Sequence, residues 1–152
     1  MQKITNIEIS EMTNSDLEII KEKLESEFDS FWSYNILKQE IESDISKIYV
    51  LNLGDEIAGF AAISIVLDEA EITNIVVKKN YRGQKLSLFL MTILIDSAIK
   101  SNCKKIHLEV NETNEIAKNL YQKFGFNQVG LRKNYYKDQD AVLMTKHLVD
   151  IK

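Results

Sequence analysis

The sequence predicts an α/β fold, a mixed and mostly antiparallel central sheet of about seven strands flanked by about four helices. Alternating apolar residues indicate strands, and apolar residues at helical spacing indicate helices. The predicted order is strand, two helices, three strands, helix, strand, helix, two strands. Strands joined by short turns pair as hairpins, whereas strands separated by a helix are joined by crossovers. With 152 residues, the chain suits a single domain over residues 1–152.

The first half of the chain supplies three strands and two helices. The first strand is predicted in "KITNIEIS", whose apolar residues alternate. A helix is predicted over "TNSDLEIIKEKLESEF", capped by Asn14 or Ser15. A second, shorter helix is predicted in "SYNILKQEIES", and "SKIYVLNLGDEIAGFAAISIVLD" predicts two strands joined at Gly54–Asp55. The apolar stripe of the first helix is Leu17, Ile20, Leu24 and Phe28.

The second half alternates strands and helices before a final strand pair. "EAEITNIVVKK" predicts a strand, and "GQKLSLFLMTILIDSAIKSN" predicts a long helix that starts near Gly83. "KKIHLEV" predicts another strand, and "NEIAKNLYQKFGF" a helix that ends at Gly125. "FNQVGLRKNYY" and "DAVLMTKHL" predict the last two strands. The expected stripes are Leu86, Leu90, Ile93 or Leu94 and Ala98 in the long helix, and Ile116, Leu120 and Phe124 in the later one.

Composition excludes several classes of protein. The single cysteine, Cys103, cannot form an intrachain disulfide or a thiolate zinc cluster, and the only two histidines lie far apart in sequence. A net charge of −4 argues against a general nucleic-acid binder but leaves a local basic patch open. The polar start "MQKITNIEIS" does not resemble a signal peptide, and no apolar run approaches the roughly 20 residues of a membrane helix. We therefore expect a cytoplasmic protein.

The segment "YRGQKLSLFL" has the features of an anion-binding loop. It follows a strand ending in "NIVV" and opens the long helix, whose first N–H groups lack intrahelical partners and carry the positive end of the macrodipole. Arg82 and Lys85 add positive charge, and Gln84 adds amide donors. Surface helices often start with such residues, so this segment alone leaves phosphate binding open.

Three segments together resemble the GNAT family of acetyl-CoA-dependent N-acetyltransferases: "NIVVKKNYRGQKLSLFLMTILI", "LEVNETNEIAKNLYQKFGF" and "RKNYY". They look most like its RimI branch, which acetylates the N-terminal alanine of a small-subunit ribosomal protein. "IVLDEAEITNIVV" also matches that branch, and "FWS" is similar to its substrate-side loop. The resemblance implies the GNAT fold and direct acetyl transfer from acetyl-CoA without a metal. A protein N-terminus would be the acceptor, and an association with tRNA-modification proteins is left open.

The family loop usually reads Arg/Gln-x-x-Gly-x-Gly or Ala, and this chain departs from it at both small-residue positions. Lys85 and Ser87 stand there, so Lys85 loses freedom if its φ must be positive but brings an ammonium group for a phosphate. We expect these residues to compensate rather than abolish binding. The resemblance implies that the coenzyme contacts Ile75, Val76, Val77, Arg82, Gly83, Gln84, Lys85, Leu86, Ser87, Leu88 and Asn114.

Glu109 and Tyr121 are the predicted general base and general acid. Glu109 lies late in its strand, on the face opposite Leu108 and Val110, and the resemblance assigns it the base role. An α-amine with a pKa near 7.7–8.0 needs only a modest base. Tyr121 lies two helical turns after Asn114, and the resemblance makes it the acid for the thiolate. A solvated carboxylate and a packed aromatic residue are the respective alternatives.

Trp32, Tyr135 and Tyr136 are weaker candidates for the acceptor site, because core packing or simple exposure explains each equally well. We expect Cys103 to be passive and His107 to be packed or hydrogen-bonded. The pair Lys78–Lys79 is expected to be solvated charge.

Two other functions stay open at this stage. One is a small-amine acetyltransferase of the same fold, against which only "FWS" and "RKNYY" argue. The other is a non-catalytic binding module, for which Lys85 and Ser87 are the only support.

Overall fold

The computed structural model describes residues 6–136 and 138–148, without the side chain of Tyr136. The described residues form one seven-stranded sheet with α-helices on both faces, in the predicted order. The strands are β1 (Ile7–Glu11), β2 (Ser46–Leu53), β3 (Glu56–Val66), β4 (Glu69–Val77), β5 (Lys105–Asn111), β6 (Asn127–Tyr136) and β7 (Gln139–His147). The helices are α1 (Asn14–Ile20), α2 (Tyr34–Glu42), α3 (Leu86–Lys100) and α4 (Glu115–Lys123). No helix among these residues is long and apolar enough to cross a membrane.

The sheet divides between β4 and β5. Its order is β1-β2-β3-β4-β5-β7-β6, and β4 and β5 form its parallel pair. That pairing covers only Glu69–Glu71 opposite Lys105–His107, after which the two strands part. The predicted mixed, mostly antiparallel sheet is thus confirmed, and it opens between its two central strands.

A β-bulge in β4 changes which face its side chains occupy. Ile63 of β3 pairs with Ile72, but the next residue back, Ala62, pairs with Asn74, so Thr73 is an extra residue. Because opposite residues of an antiparallel pair point to the same face, Asn74 lies on the face of Ala62. In a regular strand, Ile72 and Asn74, which are two residues apart, would share a face.

Each face of the sheet has its own apolar core. On one face α3 and α4 pack against β3, β4 and β5 through residues such as Leu90, Leu94 and Ile106. On the other face α1, α2 and the following turns pack through residues such as Phe28, Leu37 and Phe60. Each fully buried side chain of this size contributes roughly 1.5–3 kcal/mol. In α3 the buried stripe uses Leu94, not Ile93.

The first helix differs from its prediction at both ends. Its N-cap is Thr13, not Asn14 or Ser15, because Thr13 Oγ1 accepts from the Asp16 N–H at 3.1 Å while Asp16 Oδ2 accepts from the Thr13 N–H at 2.9 Å. The helix ends at Ile20, and a 3₁₀ turn over Lys21–Lys23 and a π turn over Leu24–Phe28 follow it. The predicted stripe is still buried, since these turns keep Leu24 and Phe28 on the core side.

The predicted apolar stripe of α4 is wrong at Ile116. This side chain is 85% exposed, whereas Ala117, Tyr121 and Phe124 pack against the core. These three residues recur at i, i+4 and i+7, which places them on one helix face. The core-facing side of α4 therefore includes Tyr121, and the predicted Ile116 faces solvent.

Candidate active site

A cleft opens where β4 and β5 part. Its volume is about 320 Å³, and its walls come from β4, β5, the start and middle of α4, and the loop after the π turn. Both predicted catalytic residues, Glu109 and Tyr121, line it, together with Asn114 and Ile75. The fold thus brings Ile75 of β4 beside residues of β5 and α4, although α3 separates β4 from these elements in the sequence.

Glu109 and Tyr121 reach the cleft from opposite faces of the sheet. In β5, Ile106, Leu108 and Val110 belong to the core under α3 and α4, so Glu109 points to the face of α1 and α2. Tyr121 belongs to α4 and packs against the α3 and α4 core. The gap between the two strands therefore has a carboxylate on one side and a phenol on the other.

Glu109 is held by Arg132, a residue that the sequence reasoning did not single out. Arg132 Nη2 lies 3.0 Å from Glu109 Oε1, and the side chains are 56% and 21% exposed, respectively. The Arg132 guanidinium also lies over the Tyr135 ring, 5.0 Å from its centroid. Glu109 is therefore partly enclosed, and Arg132 connects it to Tyr135.

Asn114, the N-cap of α4, and Tyr121, about two turns later, both line the cleft, as their spacing predicts. Asn114 Oδ1 accepts from the Ala117 N–H at 3.1 Å, which confirms the predicted cap. The Tyr121 ring lies edge-on to Phe126 with centroids 6.2 Å apart. Tyr121 thus packs against the core and also lines the cleft. Core packing and the predicted role as general acid are therefore compatible.

The loop before α3 keeps the backbone of a glycine-rich loop. Gly83 has φ of +83° and Lys85, the N-cap of α3, has φ of +63°. A left-handed conformation costs a lysine roughly 1–2 kcal/mol. The helix consequently starts at Leu86, later than predicted, because Lys85 does not have helical dihedrals. Lysine here retains the required geometry at the expense of local strain.

The start of α3 offers backbone donors for an anion. The described contacts include no capping hydrogen bond from the Lys85 side chain, and the first helical N–H groups lack intrahelical partners. The N–H of Leu88 donates to the Lys85 carbonyl at 3.2 Å, so Leu88 is less available than Leu86 and Ser87. Leu86 has a buried side chain and can offer only its backbone. This arrangement suits a pyrophosphate.

Arg82 fixes the loop by two backbone contacts. Its Nε donates to the Val77 carbonyl at 3.0 Å, and its Nη2 donates to the Phe28 carbonyl at 2.7 Å. These bonds tie the loop to the end of β4 and to the π turn. A structural role for this guanidinium therefore accompanies the predicted contact with phosphate.

Lys78 is not solvated charge, so that expectation was wrong. Its side chain is 8% exposed and pairs with Glu27 at 3.2 Å and Glu56 at 3.0 Å. The Lys78 N–H donates to the Ala58 carbonyl, which continues the β3–β4 ladder past Val77, and its partner Glu56 also accepts a hydrogen bond from Tyr81 of the loop. The sequence "KK" does not show that the two lysines differ, but Lys78 is buried and Lys79 is exposed.

The cluster under the loop is charged at neutral pH. Hydrogen bonds from the Tyr81 hydroxyl and from Lys78 lower the pKa of Glu56. Burial lowers the pKa of Lys78, but hydrogen bonds to Glu56 and Glu27 outweigh it and leave that pKa raised. The bond to Glu56 raises the pKa of Tyr81. An ion-paired cluster therefore supports the loop.

The acceptor candidates are not all in the cleft. Trp32 lines a separate cavity of about 370 Å³ and stacks on Phe31 with an interplanar angle of 10°. Phe31, which is 59% exposed, lines the cleft itself. Tyr135 is 45% exposed and meets the site through Arg132, and the side chain of Tyr136 lies outside the described part.

The residues that we expected to be passive are accounted for. His107 hydrogen-bonds to Thr145 through Nδ1 at 2.8 Å and to Glu69 through Nε2 at 2.7 Å. Cys103 is buried, and burial raises the pKa of its thiol. A buried thiol with a raised pKa is a poor nucleophile.

Comparison with known proteins gives consistent results. Residues 6–126 match the family described as Acetyltransferase (GNAT) family. A Bacillus subtilis protein with the provisional name ribosomal protein bS18-alanine N-acetyltransferase is 34% identical over 143 residues, 92% of this chain and 95% of the relative. The Escherichia coli K12 protein named [ribosomal protein bS18]-alanine N-acetyltransferase is 37% identical over 100 residues, 63% of this chain and 68% of that protein.

Solved structures agree with the sequence matches. The crystal structure of the ribosomal-protein-S18-alanine N-acetyltransferase from Escherichia coli superposes with a TM-score of 0.87 at 30% identity, covering 97% of each chain. Ard1 from Thermoplasma volcanium has a TM-score of 0.84 at 21% identity, covering 95% of this chain and 99% of that one, and shares the fold.

The fold, the parted central strands and the family match define an acetyltransferase, and the chain belongs to the GNAT family. It is an N-acetyltransferase that uses acetyl-CoA as its acetyl donor.

Proposed function

We propose that the protein transfers the acetyl group of acetyl-CoA to the N-terminal alanine α-amine of a small-subunit ribosomal protein. The observation that carries this proposal is the cleft between β4 and β5, with Glu109 and Tyr121 on opposite faces. The names of relatives that match 92% and 63% of the chain support the choice of acceptor.

The coenzyme would lie along the α3 side of the opening. The N–H groups at the start of α3 would bind its pyrophosphate, with Gly83, Gln84 and Lys85 around it. The edge of β4 that faces β5 is unpaired with it beyond Glu71 among the described residues, so the backbone of Ile75–Val77 could bind the pantetheine arm. Asn114, beside the cleft, would contact the coenzyme while capping α4.

Acetyl-CoA supplies an activated thioester. Glu109 would accept the proton of the attacking amine, directly or through one water, as the nitrogen–carbon bond forms. Tyr121 would donate a proton to the sulfur as the carbon–sulfur bond breaks. A phenol with a pKa near 10 is matched to a thiolate of similar basicity. The two residues would therefore act on different atoms from different sides of the sheet.

The acceptor would enter on the face of α1 and α2. Asp29 and Glu109 line the cleft and would attract a protonated amine. Phe31 would provide an apolar wall, with Trp32 stacked behind it, and Tyr135 and Tyr136 would lie farther out on β6. A ribosomal acceptor would place the reaction in the cytoplasm, the location that we expect from the sequence.

Competition between acceptors would test this proposal. A peptide with the N-terminal sequence of the host's bS18 is incubated with the protein and acetyl-CoA, beside its Nα-blocked form and a panel of polyamines and amino acids. We expect acetylation of the free α-amine, located by mass spectrometry, and little product from the blocked peptide. Faster turnover of a small amine would overturn the proposal.

An association with tRNA-modification proteins is a further part of this proposal, resting on the family resemblance alone. Affinity purification of the tagged protein from its host, followed by mass spectrometry, would test it. Enrichment over a tagged control protein is the expected result, and its absence would remove this partner class.

A further inference from the structure

Asn74 has a donor without a partner inside the cleft. Its side chain lies on β4, is 8% exposed and lines the cleft with Glu109 and Tyr121. Its Nδ2 is buried and makes no hydrogen bond within the described residues. Buried polar groups nearly always have partners, because an unsatisfied donor is costly. An unpaired amide in this position is therefore a feature that a ligand would explain.

The bulge of β4 gives Asn74 its direction. Because Thr73 is the extra residue, Asn74 pairs with Ala62 and shares its face, which is the face of α1 and α2. Glu109 points to the same face from β5. Two polar side chains, one acceptor and one donor, thus flank the entrance on the side where the amine would arrive.

An acceptor peptide presents one group that matches this donor. Its α-amine goes to Glu109, and the nearest hydrogen-bond acceptor on the peptide is the carbonyl oxygen of the same first residue. A polyamine has no such oxygen. An amide donor beside the base therefore distinguishes an aminoacyl group from a simple amine, because a site built to hydrogen-bond a substrate rejects an analogue that lacks the group.

We propose that Asn74 Nδ2 donates a hydrogen bond to the carbonyl oxygen of the first residue of the acceptor peptide, and so selects protein N-termini. This inference rests on the proposed function, since it requires a peptide acceptor. Asn74 is in this view a specificity-determining residue. The rival position for this donor is the thioester carbonyl of the acetyl group, which would affect the coenzyme instead.

Substitution of Asn74 by leucine separates binding from folding. Leucine has a similar size and removes the unpaired donor, so the variant should unfold at the same or a higher temperature than the wild type. The KM for the bS18 peptide should nevertheless rise about tenfold or more, with the KM for acetyl-CoA unchanged. A residue with only a structural role would not combine unimpaired stability with weaker peptide binding.

A peptide isostere completes the test. A peptide whose first peptide bond is replaced by an (E)-alkene keeps its shape but lacks the carbonyl. Wild-type protein should show the same roughly tenfold rise in KM with this peptide, whereas Asn74→Leu should show no further rise. Ile48→Val, in the core of the same face but away from the cleft, is the control, because it should lower stability without changing either KM.

The outcomes separate the two proposals. If wild-type protein fails to acetylate the peptide, the proposed function and this inference both fall. If wild-type protein acetylates it and Asn74→Leu keeps the peptide KM, only the inference is overturned. A rise in the KM for acetyl-CoA instead would assign Asn74 to the thioester and also overturn it.

Discussion

The proposed coenzyme side and the proposed acceptor side of the site differ in how firmly they are held. On the coenzyme side, residues 77–88, Arg82 makes two backbone contacts and Lys78 is buried between two carboxylates. On the acceptor side, the loop of residues 29–33 and the strands β6 and β7, Phe31 is 59% exposed and Tyr135 is 45% exposed. One side is a fixed frame, and the other presents exposed aromatic side chains.

This difference fits the two partners of the reaction. A coenzyme is the same in every turnover and is best bound by groups that are already in place. An acceptor is recognised by the side chains that contact it, and exposed aromatic and charged residues can make such contacts. We infer that the coenzyme side provides a preformed binding frame, that the acceptor side sets the specificity, and that Tyr121 and Glu109 divide the chemistry between the two faces. Four substitutions test the proposed roles in this comparison, from the largest expected effect to the smallest.

Tyr121→Phe should have the largest effect, because Tyr121 approaches from the face of α3 and α4, along which the coenzyme would lie, and would protonate the leaving sulfur. We expect turnover to fall about 10²–10⁴-fold, the usual range for a general acid. The Kd for acetyl-CoA, measured by calorimetry, should stay near the wild-type value. Tyr34→Phe, in the separate cavity beside Trp32, is the matched control. Wild-type turnover in Tyr121→Phe would remove this residue from the mechanism.

Glu109→Gln should have a smaller effect that depends on pH. At pH 7 about one α-amine in six to one in eleven is neutral if its pKa is 7.7–8.0, so loss of the base should cost about five- to tenfold. Above about pH 9 the amine is already neutral, and the variant should approach wild-type turnover. The check is a profile of kcat/KM against pH. A deficit that is equal at every pH would show that Glu109 serves to hold Arg132.

Lys85→Gly should relieve the left-handed backbone on the coenzyme side. We expect unfolding to become harder by about 1 kcal/mol or less, and coenzyme affinity to be equal or better. Lys85→Ala is the matched variant, since it keeps the strain and removes only the ammonium. Calorimetry with coenzyme A and thermal unfolding are measured for both. A large loss of affinity in both variants would show that the lysine charge binds phosphate.

Glu56→Gln should have the smallest effect, on stability at acid pH. The folded-state pKa of Glu56 is below its ordinary value of 4.5, so its contribution is complete above that value and is lost as pH falls through the lowered pKa. Its side chain is 40% exposed, which limits the contribution to about 1 kcal/mol. Urea unfolding from about pH 3 to pH 7 should show a flatter curve for the variant. An identical pH dependence of stability in the variant and the wild type would contradict an ion-paired cluster at the loop.

Most of the fold could be predicted because local sequence patterns determine the type and order of its elements. Alternation in the strands and the long apolar stripe of α3 gave the element order, and the hairpin at Gly54–Asp55 has the expected ends. The cap at Thr13 and the break after Ile20 could not be predicted so well. Asn14 and Ser15 are equally good caps by residue type, and the turns that follow Ile20 depend on packing against the sheet.

The candidate site was predictable where a motif spans a few residues and less so where it depends on long-range contacts. Glu109, Tyr121 and Asn114 meet in one cleft as expected. Lys78 lies next to an exposed lysine, and its burial depends on Glu27 and Glu56, which are distant in sequence. Arg132 reaches Glu109 across β7, so the strand order had to be known first.

The extra residue in β4 decides which side chains of the strand face the acceptor. If β4 had its present length but no bulge, Asn74 would lie on the face of Ile72, beneath α3, and Ile75 would lie beside Glu109. A relative without a residue at position 73 would keep the present faces, because Asn74 would then directly follow Ile72 in a regular strand. A one-residue difference at this point is therefore harmless only when the bulge is lost together with the residue.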